Sequence, residues 1–503
     1  MKEEIYQTII YELNEKNSNK DLNLLLLKMN DSASIFFICK NVYDENNIIS
    51  KSSLDYTEQI NSCGFNYVNT IILPESVTDD NVQYLLWFVK SHEKMLFIKD
   101  NIREKHIWKD VEWGKRKKNY NPKGKDPGNV WLPTKDDGKG KITEHIILSD
   151  IDIIERCITS TSRESDAIYI HYNSKLPTSK ILINRKVDLT KSLISKNKIK
   201  QNNSKPNSKP NSKKLIKTKP KVVFDSAEEM TVIKNGTVDL MITSPPYWNL
   251  KDYFKDGQIG QESYQQYLDR LKAVWMETYR ALNHKGSMWI NINTRVKNKK
   301  PILIPQDIIK QCREIGFKLN EIIVWHKSSG IPTHKNNIVD RFEYFLWFVK
   351  SDDFTFNHDY LTNLNDYKNK NLKGGLLWNI NRKAGSVGKD FIHPAIYPVK
   401  LIERIIELCS CEGQLVLDPF LGSGTSLIAA ENTHRSFIGY EYNEEFESLI
   451  KHRLENSKIN KENVEFINMN KKRKICIWLK IYFFIIHLSS IIMESHFSVC
   501  GTI

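Results

Sequence analysis

Cysteine pairing is missing from this chain. Its 503 residues include eight cysteines, but no two of them stand in a CxxC spacing. Cys409 and Cys411 sit too close together for an ordinary zinc-ligand pair. The pattern argues against a disulfide scaffold or a zinc module and for reduced thiols in a cytoplasmic protein. A secretory leader is missing too, since "MKEEIYQTII" is followed by charged residues instead of an apolar core. Acidic residues are absent from one whole stretch, "SKNKIKQNNSKPNSKPNSKKLIKTKPK" at 195–221, which holds ten lysines and repeats Ser-Lys-Pro-Asn. It has almost nothing apolar to bury, so it reads as a flexible basic linker, or as an arm that tracks phosphates.

Elsewhere the composition is that of a globular protein, with 40% hydrophobic and 27% charged residues. The formal net charge of +14 favours an acidic partner, foremost a nucleic acid. The apolar tail "KICIWLKIYFFIIHLSSIIM", Lys474–Met493, is long enough to cross a bilayer, but Lys480 and His487 interrupt it. A packed terminal helix or a non-native extension is the favoured reading, and no membrane partner is expected.

The chain repeats itself. "YLLWFVKS" at Tyr84–Ser91 returns as "YFLWFVKS" at Tyr344–Ser351. Upstream, "CGFNYVNTIILPES" parallels "IGFKLNEIIVWHKS"; downstream, "GNVWLP…HIILSDIDIIERCI" parallels "GLLWNI…HPAIYPVKLIERII". Matches in the same order imply that the first half is a degenerate, partial copy of the second. The expected organisation is a degenerate domain at 1–190, a basic linker at 191–221, a catalytic domain at 222–470 and an apolar tail at 471–503.

From Val238 onward, apolar strand-like runs alternate with helical patterns. "VDLMIT", "GSMWININ", "NEIIVWHK", "FEYFLWFVK", "GQLVLDPF" and "SFIGYEYN" read as strands. "QESYQQYLDRLKAVWMETYRALN" has Tyr264, Tyr267, Leu268, Leu271 and Val274/Trp275 at helical spacing. The alternation predicts a doubly wound α/β sheet of Rossmann type.

Two motifs carry chemistry. In "VLDPFLGSGTSLIAAENTHRSFIGYEYN" a strand ends at Asp418-Pro419-Phe420, and a turn through Gly422, Ser423, Gly424 and Thr425 opens a helix. The next strand ends at Glu441, where an acid can accept both hydroxyls of a ribose. The turn lacks the GxGxxG spacing of a pyrophosphate site, and no Lys follows Gly424 as in a phosphate loop. A nucleoside without phosphates fits better. The second motif, "TSPPYW", begins where the strand "VDLMI" ends, at the rim where such sheets bind ligands. Ser244 and the Pro245 carbonyl can accept from an amino group, Pro246 stiffens the turn, and Tyr247 and Trp248 offer faces on which a planar base can stack.

These residues resemble the DNA amino-methyltransferases that use S-adenosylmethionine: TSPPYW is similar to their catalytic motif and DPFLGSGT to their cofactor motif. The catalytic motif comes first, as in the family's beta group, and "HPAIYPVKLIERII" from His393 and Pro394 is similar to that group's helix-opening cofactor motif. The resemblance spans roughly 222–460. It implies a Rossmann-like methyltransferase domain, S-adenosylmethionine as cofactor, double-stranded DNA as substrate and a cognate restriction endonuclease as partner. Asp418, Pro419, Phe420, Gly422, Ser423, Gly424, Thr425, Glu441, His393 and Pro394 are the implied cofactor residues. Ser244, Pro245, Pro246 and Tyr247 are the implied catalytic residues, and Ser328–Trp378 falls where the recognition region often lies. Ser before Pro-Pro-Tyr favours cytosine N4 as the target, with adenine N6 as the alternative. No Pro-Cys dipeptide occurs, which disfavours methylation at cytosine C5. Two other readings stay open: a non-catalytic DNA-binding protein built from decayed copies, and an amino-methyltransferase acting on RNA or protein.

Overall fold

The computed structural model describes residues 5–75, 81–104, 121–136, 142–172, 185–191, 217–249, 256–297, 300–327, 338–357, 360, 375–380 and 397–469. Most of the basic linker, most of Ser328–Trp378, His393, Pro394 and the tail from 471 lie outside them, as does most of "WGKRKKNYNPKGK" at Trp113–Lys125, which by sequence is a basic loop able to meet phosphates. By spatial proximity the chain divides into two compact units that do not follow sequence order. One contains residues 1–211, 282–384 and 407–410; the other contains 212–281, 385–406 and 411–503.

Residues 5–191 supply strands β1 (Tyr6–Glu12), β2 (Met29–Cys39), β3 (Val42–Tyr43), β4 (Ile49–Lys51), β5 (Asn66–Pro74), β6 (Val82–Val89), β7 (Thr134–Asp136), β8 (Ile142–His145), β9 (Ala167–Tyr172) and β10 (Lys186–Lys191). Helices α1 (Asn19–Leu27), α2 (Ser53–Ser62) and α3 (Asp150–Thr161) alternate with them. Each helix starts the same way: Ser18, Ser52 or Ser149 caps the backbone N–H three residues on, and Asp21, Asp55 or Asp152 caps the serine N–H in return. Six strands form a mixed sheet in the order β10-β9-β1-β2-β6-β5. The first four are mutually parallel, while β6 runs antiparallel to both its neighbours. A cluster including Ile10, Phe36, Trp87, Trp131, Ile154 and Ile170 fills the core.

The second half continues with β11 (Lys221–Phe224), β12 (Val238–Thr243), α4 (Tyr264–Ala281), β13 (Leu282–Ile292), β14 (Arg295–Lys297), β15 (Lys300–Ile302), α5 (Ile304–Ile315), β16 (Lys318–His326), β17 (Phe342–Val349), β18 (Leu377–Asn379), α6 (Val399–Cys409), β19 (Leu415–Asp418), α7 (Thr425–Asn432), β20 (Ser436–Glu441), α8 (Phe446–Asn456) and β21 (Glu465–Asn468). The strand and helix assignments expected from periodicity therefore recur as elements. In the first unit the strand order is β18-β16-β17-β13, with β17 antiparallel to both neighbours.

In the second unit the order is β12-β19-β20-β11-β21, every pair parallel. Its central strands are near-continuous apolar runs because both faces are covered. Only Asp239 of β12 escapes full burial, and every residue of β20 is buried. On α4, Tyr267, Leu268, Leu271, Val274 and Trp275 form the buried stripe. The result is the α/β class anticipated from the alternation of patterns.

Candidate functional site

Four parallel strands of the second unit, β11, β12, β19 and β20, end at one rim, and the chain after each end lines one cavity. The contributors are Asp225, Ser226 and Ala227 after β11, Ser244, Pro246 and Tyr247 after β12, Pro419 to Ser423 and Thr425 after β19, and Glu441, Tyr442 and Asn443 at β20. Gln258, Ile259, Arg270, Tyr397 and Phe446 complete a space of about 960 Å³ open to solvent. This is where an open parallel sheet binds its ligand, because the strand ends diverge into loops there.

Asp418 lies below the cavity, outside its lining, and is wholly buried. Thr243 Oγ1 donates to its Oδ1 at 2.7 Å, the Phe420 N–H donates to the same oxygen at 3.0 Å, and Ser426 Oγ donates to Oδ2. Burial still outweighs these bonds and raises the carboxyl to about 6. The side chain thus ties the last residue of β12 to the turn after β19 and to the first turn of α7.

The glycines answer to geometry. Gly422 has φ 54° and Gly424 φ 83°, a left-handed region that β-carbon sterics disfavour. Gly424 caps α7. It stands outside the cavity lining, and a Cβ there would meet the Ile450 side chain at 3.4 Å. The Gly422 N–H donates to Glu441 Oε2 at 2.7 Å, and the Asn443 N–H donates to Oε1 at 2.8 Å. Glu441 is 9% exposed, and burial pushes its carboxyl up to about 7. Each oxygen accepts one of these bonds, the Tyr442 N–H adds a further backbone hydrogen bond, and the side chain belongs to the cavity lining.

Sequence reasoning missed Arg453 on α8. Its Nη1 donates to the Ser423 carbonyl at 2.8 Å, to Ser423 Oγ at 2.5 Å and to Thr425 Oγ1 at 2.9 Å. Burial lowers the guanidinium to about 10, so it stays charged at neutral pH while it clamps the turn. The residue gives no local signal, because it sits among ordinary helix formers. Asp225 to Ala227 and Gln258 were missed for a similar reason. Gln258 is buried, and its Nε2 has no hydrogen-bond partner among the described residues. Phe420 meets Trp275 edge-on at 6.4 Å between centroids.

After β12, at the same rim, Ser244, Pro246 and Tyr247 line the cavity, whereas Pro245 is buried. The Pro246 carbonyl accepts from Tyr267 Oη at 2.9 Å, which pins the turn to α4. Trp248 stands apart from the lining. Its ring is 9% exposed, packs on Tyr264 at 4.9 Å, and donates its indole N–H to the Glu262 carbonyl at 2.8 Å. The ring covers apolar surface instead of offering a free face, so the structure brings one aromatic of the pair, Tyr247, to the cavity. No group of three or more His, Cys, Asp or Glu able to hold a metal occurs among the described residues, and no described helix is long and apolar enough to cross a membrane.

Residues 238–452 match the family model N6_N4_Mtase, described as DNA methylase. Among curated proteins, the chain is 29% identical over 272 residues to the type II methyltransferase M.Cfr9I of Citrobacter freundii, covering 47% of this chain and 87% of that one. It is 30% identical over 274 residues to M.XycI of Xanthomonas campestris pv. cyanopsidis, covering 46% and 87%. It is 30% identical over 303 residues to M.MjaI of Methanocaldococcus jannaschii, covering 50% and 98%. With the ends of β12, β19 and β20, the SPPY turn and the glycine turn carried by the matched segment, the chain belongs to the N6/N4 family of DNA methylases.

Proposed function

We propose that this protein is the modification methyltransferase of a type II restriction-modification system, and that it methylates an exocyclic amine of DNA, cytosine N4 in the favoured reading. The observation that carries the proposal is the meeting of Ser244 and Tyr247 with Gly422 and Glu441 around one cavity. The residues fit S-adenosylmethionine. Glu441 has acceptor capacity for two ribose hydroxyls, the Phe420 and Phe446 rings offer apolar cover for a purine, and the orphaned Gln258 Nε2 can donate to the ligand. S-adenosylmethionine supplies a methyl group made electrophilic by its sulfonium.

The chain's own residues do the rest. Tyr247 offers a face to a base drawn out of the duplex. Ser244 and the Pro245 carbonyl accept from the base amino group, and so localise the nitrogen lone pair that the ring would otherwise withdraw. The amine is a poor nucleophile, so holding it in line is where most of the acceleration arises. Pro246 and Tyr267 fix the turn, and the Thr243–Asp418 bond fixes the distance between the two subsites. Ser244 favours cytosine by family pattern, with adenine N6 as the alternative. A cognate endonuclease is the expected partner.

The test is transfer of labelled methyl from S-adenosylmethionine to double-stranded DNA by the purified chain, followed by identification of the modified base. Labelled N4-methylcytosine supports the full reading. Labelled N6-methyladenine overturns the cytosine assignment, and unlabelled DNA across varied genomic substrates overturns the enzyme reading.

A further inference from the structure

Within the first unit, residues 5–191 and 282–380 share more than sequence motifs. Strand β2 pairs with β6 from Ser34↔Val89 to Cys39↔Tyr84, and β13 pairs with β17 from Ser287↔Val349 to Ile292↔Tyr344. The next strand out shifts register at the same place in both, between Tyr67 and Asn69 in β5 and between Leu319 and Glu321 in β16. Bulges arise from specific local sequence, so a shared bulge is a strong mark of common descent. Outside that strand lies the same third piece. Val130 pairs parallel with Ile72 and Leu377 with Val324, each seating a buried tryptophan one residue later, Trp131 and Trp378.

The two pieces meet through corresponding parts. Helix α2 leads into β5 as α5 leads into β16, and these helices face one another. Arg313 Nη1 donates to Asp55 Oδ1 at 3.0 Å, Gln306 Nε2 donates to Asp55 Oδ1 at 2.9 Å and to Glu58 Oε2 at 3.1 Å, and Lys310 pairs with Glu58. The bulge residue Glu321 accepts from Tyr43 Oη at 2.9 and 3.0 Å. Beside the other bulge, Asn129 Nδ2 donates to Asn69 Oδ1 at 3.1 Å and to Asp340 Oδ1 at 3.0 Å, and Arg341 Nη1 donates to Glu104 Oε2 at 3.0 Å. Contact of like element with like element is the signature of a two-fold interface.

We propose that the chain is an internal pseudo-dimer, in which residues 5–191 stand where the second subunit of a two-fold dimer would stand on residues 282–380. Charge makes the choice. Helix α5 presents Lys310 and Arg313, and α2 answers with Asp55 and Glu58. In the register of the repeat, Asp55 stands where α5 has Asp307 and Glu58 stands where α5 has Lys310, so a second copy offering its own α5 would set Lys310 against Lys310, which disfavours that pairing. The first half has kept the docking face, including the acid that meets Arg313, and reversed the charge at Glu58 alone, so one chain carries the whole assembly without a second copy.

The inference is tested on the full chain. Glu58 and Lys310 are partly exposed, with 41% and 44% of their side-chain surfaces accessible, so Glu58→Cys and Lys310→Cys should be tolerated. The double variant treated with a short bis-maleimide should close a cross-link within one chain, a 1:1 mixture of the single variants should yield no covalent dimer, and the native protein should sediment at 58.8 kDa. A covalent dimer from the mixture, no cross-link in the double variant, or a native species of twice that mass overturns the proposal. None of these outcomes depends on methyl transfer, so the catalytic reading stands or falls separately.

Discussion

Thr243 Oγ1 and Asp418 Oδ1 stand 2.7 Å apart, joined by a buried hydrogen bond between the ends of two neighbouring parallel strands. One residue later, each strand opens into a different turn of the cavity. Asp418 is therefore a positioning residue whose carboxylate holds the two turns together from below.

Asp418→Asn and Asp418→Ala should behave differently. Asparagine keeps an acceptor for Thr243 and Phe420, and its amide can donate to Ser426, so S-adenosylmethionine should bind within a few-fold of the native protein. Alanine strands three buried donors at about 1–3 kcal/mol each before relaxation, and should lower both the melting temperature and the affinity. The pH dependence follows from the raised carboxyl. The folded value of about 6 exceeds the usual carboxylate value of 3.8, so the folded state binds the extra proton between the two. Stability is greatest below the lower value and falls as pH rises through about 6. Melting curves between pH 4 and 7.5 should show this slope, and Asp418→Asn should flatten it.

Ser244→Ala should lower methyl transfer by on the order of a hundredfold or more, because it removes an acceptor aimed at the reacting amine. S-adenosylmethionine affinity, read by calorimetry, should stay near native. A variant as active as the native protein would remove Ser244 from the mechanism.

Glu441 gives a second pH signature. Its carboxyl sits at about 7, and two ribose hydroxyls favour the ionised acceptor. Affinity for S-adenosylmethionine should therefore weaken as pH falls below about 7, by about tenfold per unit once the group is mostly protonated. Glu441→Gln should bind more weakly at pH 8 and lose the dependence. A native affinity constant from pH 8 to pH 6 would contradict the assignment.

Arg453→Met should loosen the glycine turn. It leaves the Ser423 carbonyl, Ser423 Oγ and Thr425 Oγ1 without their shared donor. A loss of about 1–3 kcal/mol in stability and a weaker affinity for S-adenosylmethionine are expected, measured by denaturant titration and calorimetry.

Trp248→Phe separates the two aromatics of the opening motif. It should cost about 1 kcal/mol through the lost bond to the Glu262 carbonyl and leave methylation largely intact, whereas Tyr247→Ala should impair methylation while S-adenosylmethionine still binds.

Much of this was legible in the sequence because certain residues answer to backbone geometry. Gly422 and Gly424 mark left-handed positions, Asp418 and Glu441 end apolar strands, and Ser-Pro-Pro breaks one. Periodicity found α4 and three of the parallel strands, β12, β19 and β20, whereas the four-residue β11 and β21 are too short to show a pattern. Arg453 was invisible, since its partners lie about thirty residues away and depend on where α8 is laid down. Trp248 was read as a free face because a sequence shows an aromatic beside a turn and hides the neighbour, Tyr264, that covers it. The side-by-side meeting of α2 and α5 was equally hidden, although the repeat that supplies both was in plain view.

The order of strands in the second unit also has a temporal side. Strand β11 is the earliest in that sheet, yet it is flanked by the last two: Lys221 pairs with Ile438 on one side and with Glu465 on the other. Its ladder cannot close until the ribosome has released residues near 468. Such long-range pairing is slow to form. A nascent chain whose residues 436–446 have not yet been released therefore lacks both the partner of β11 and the last lining residues of the cavity.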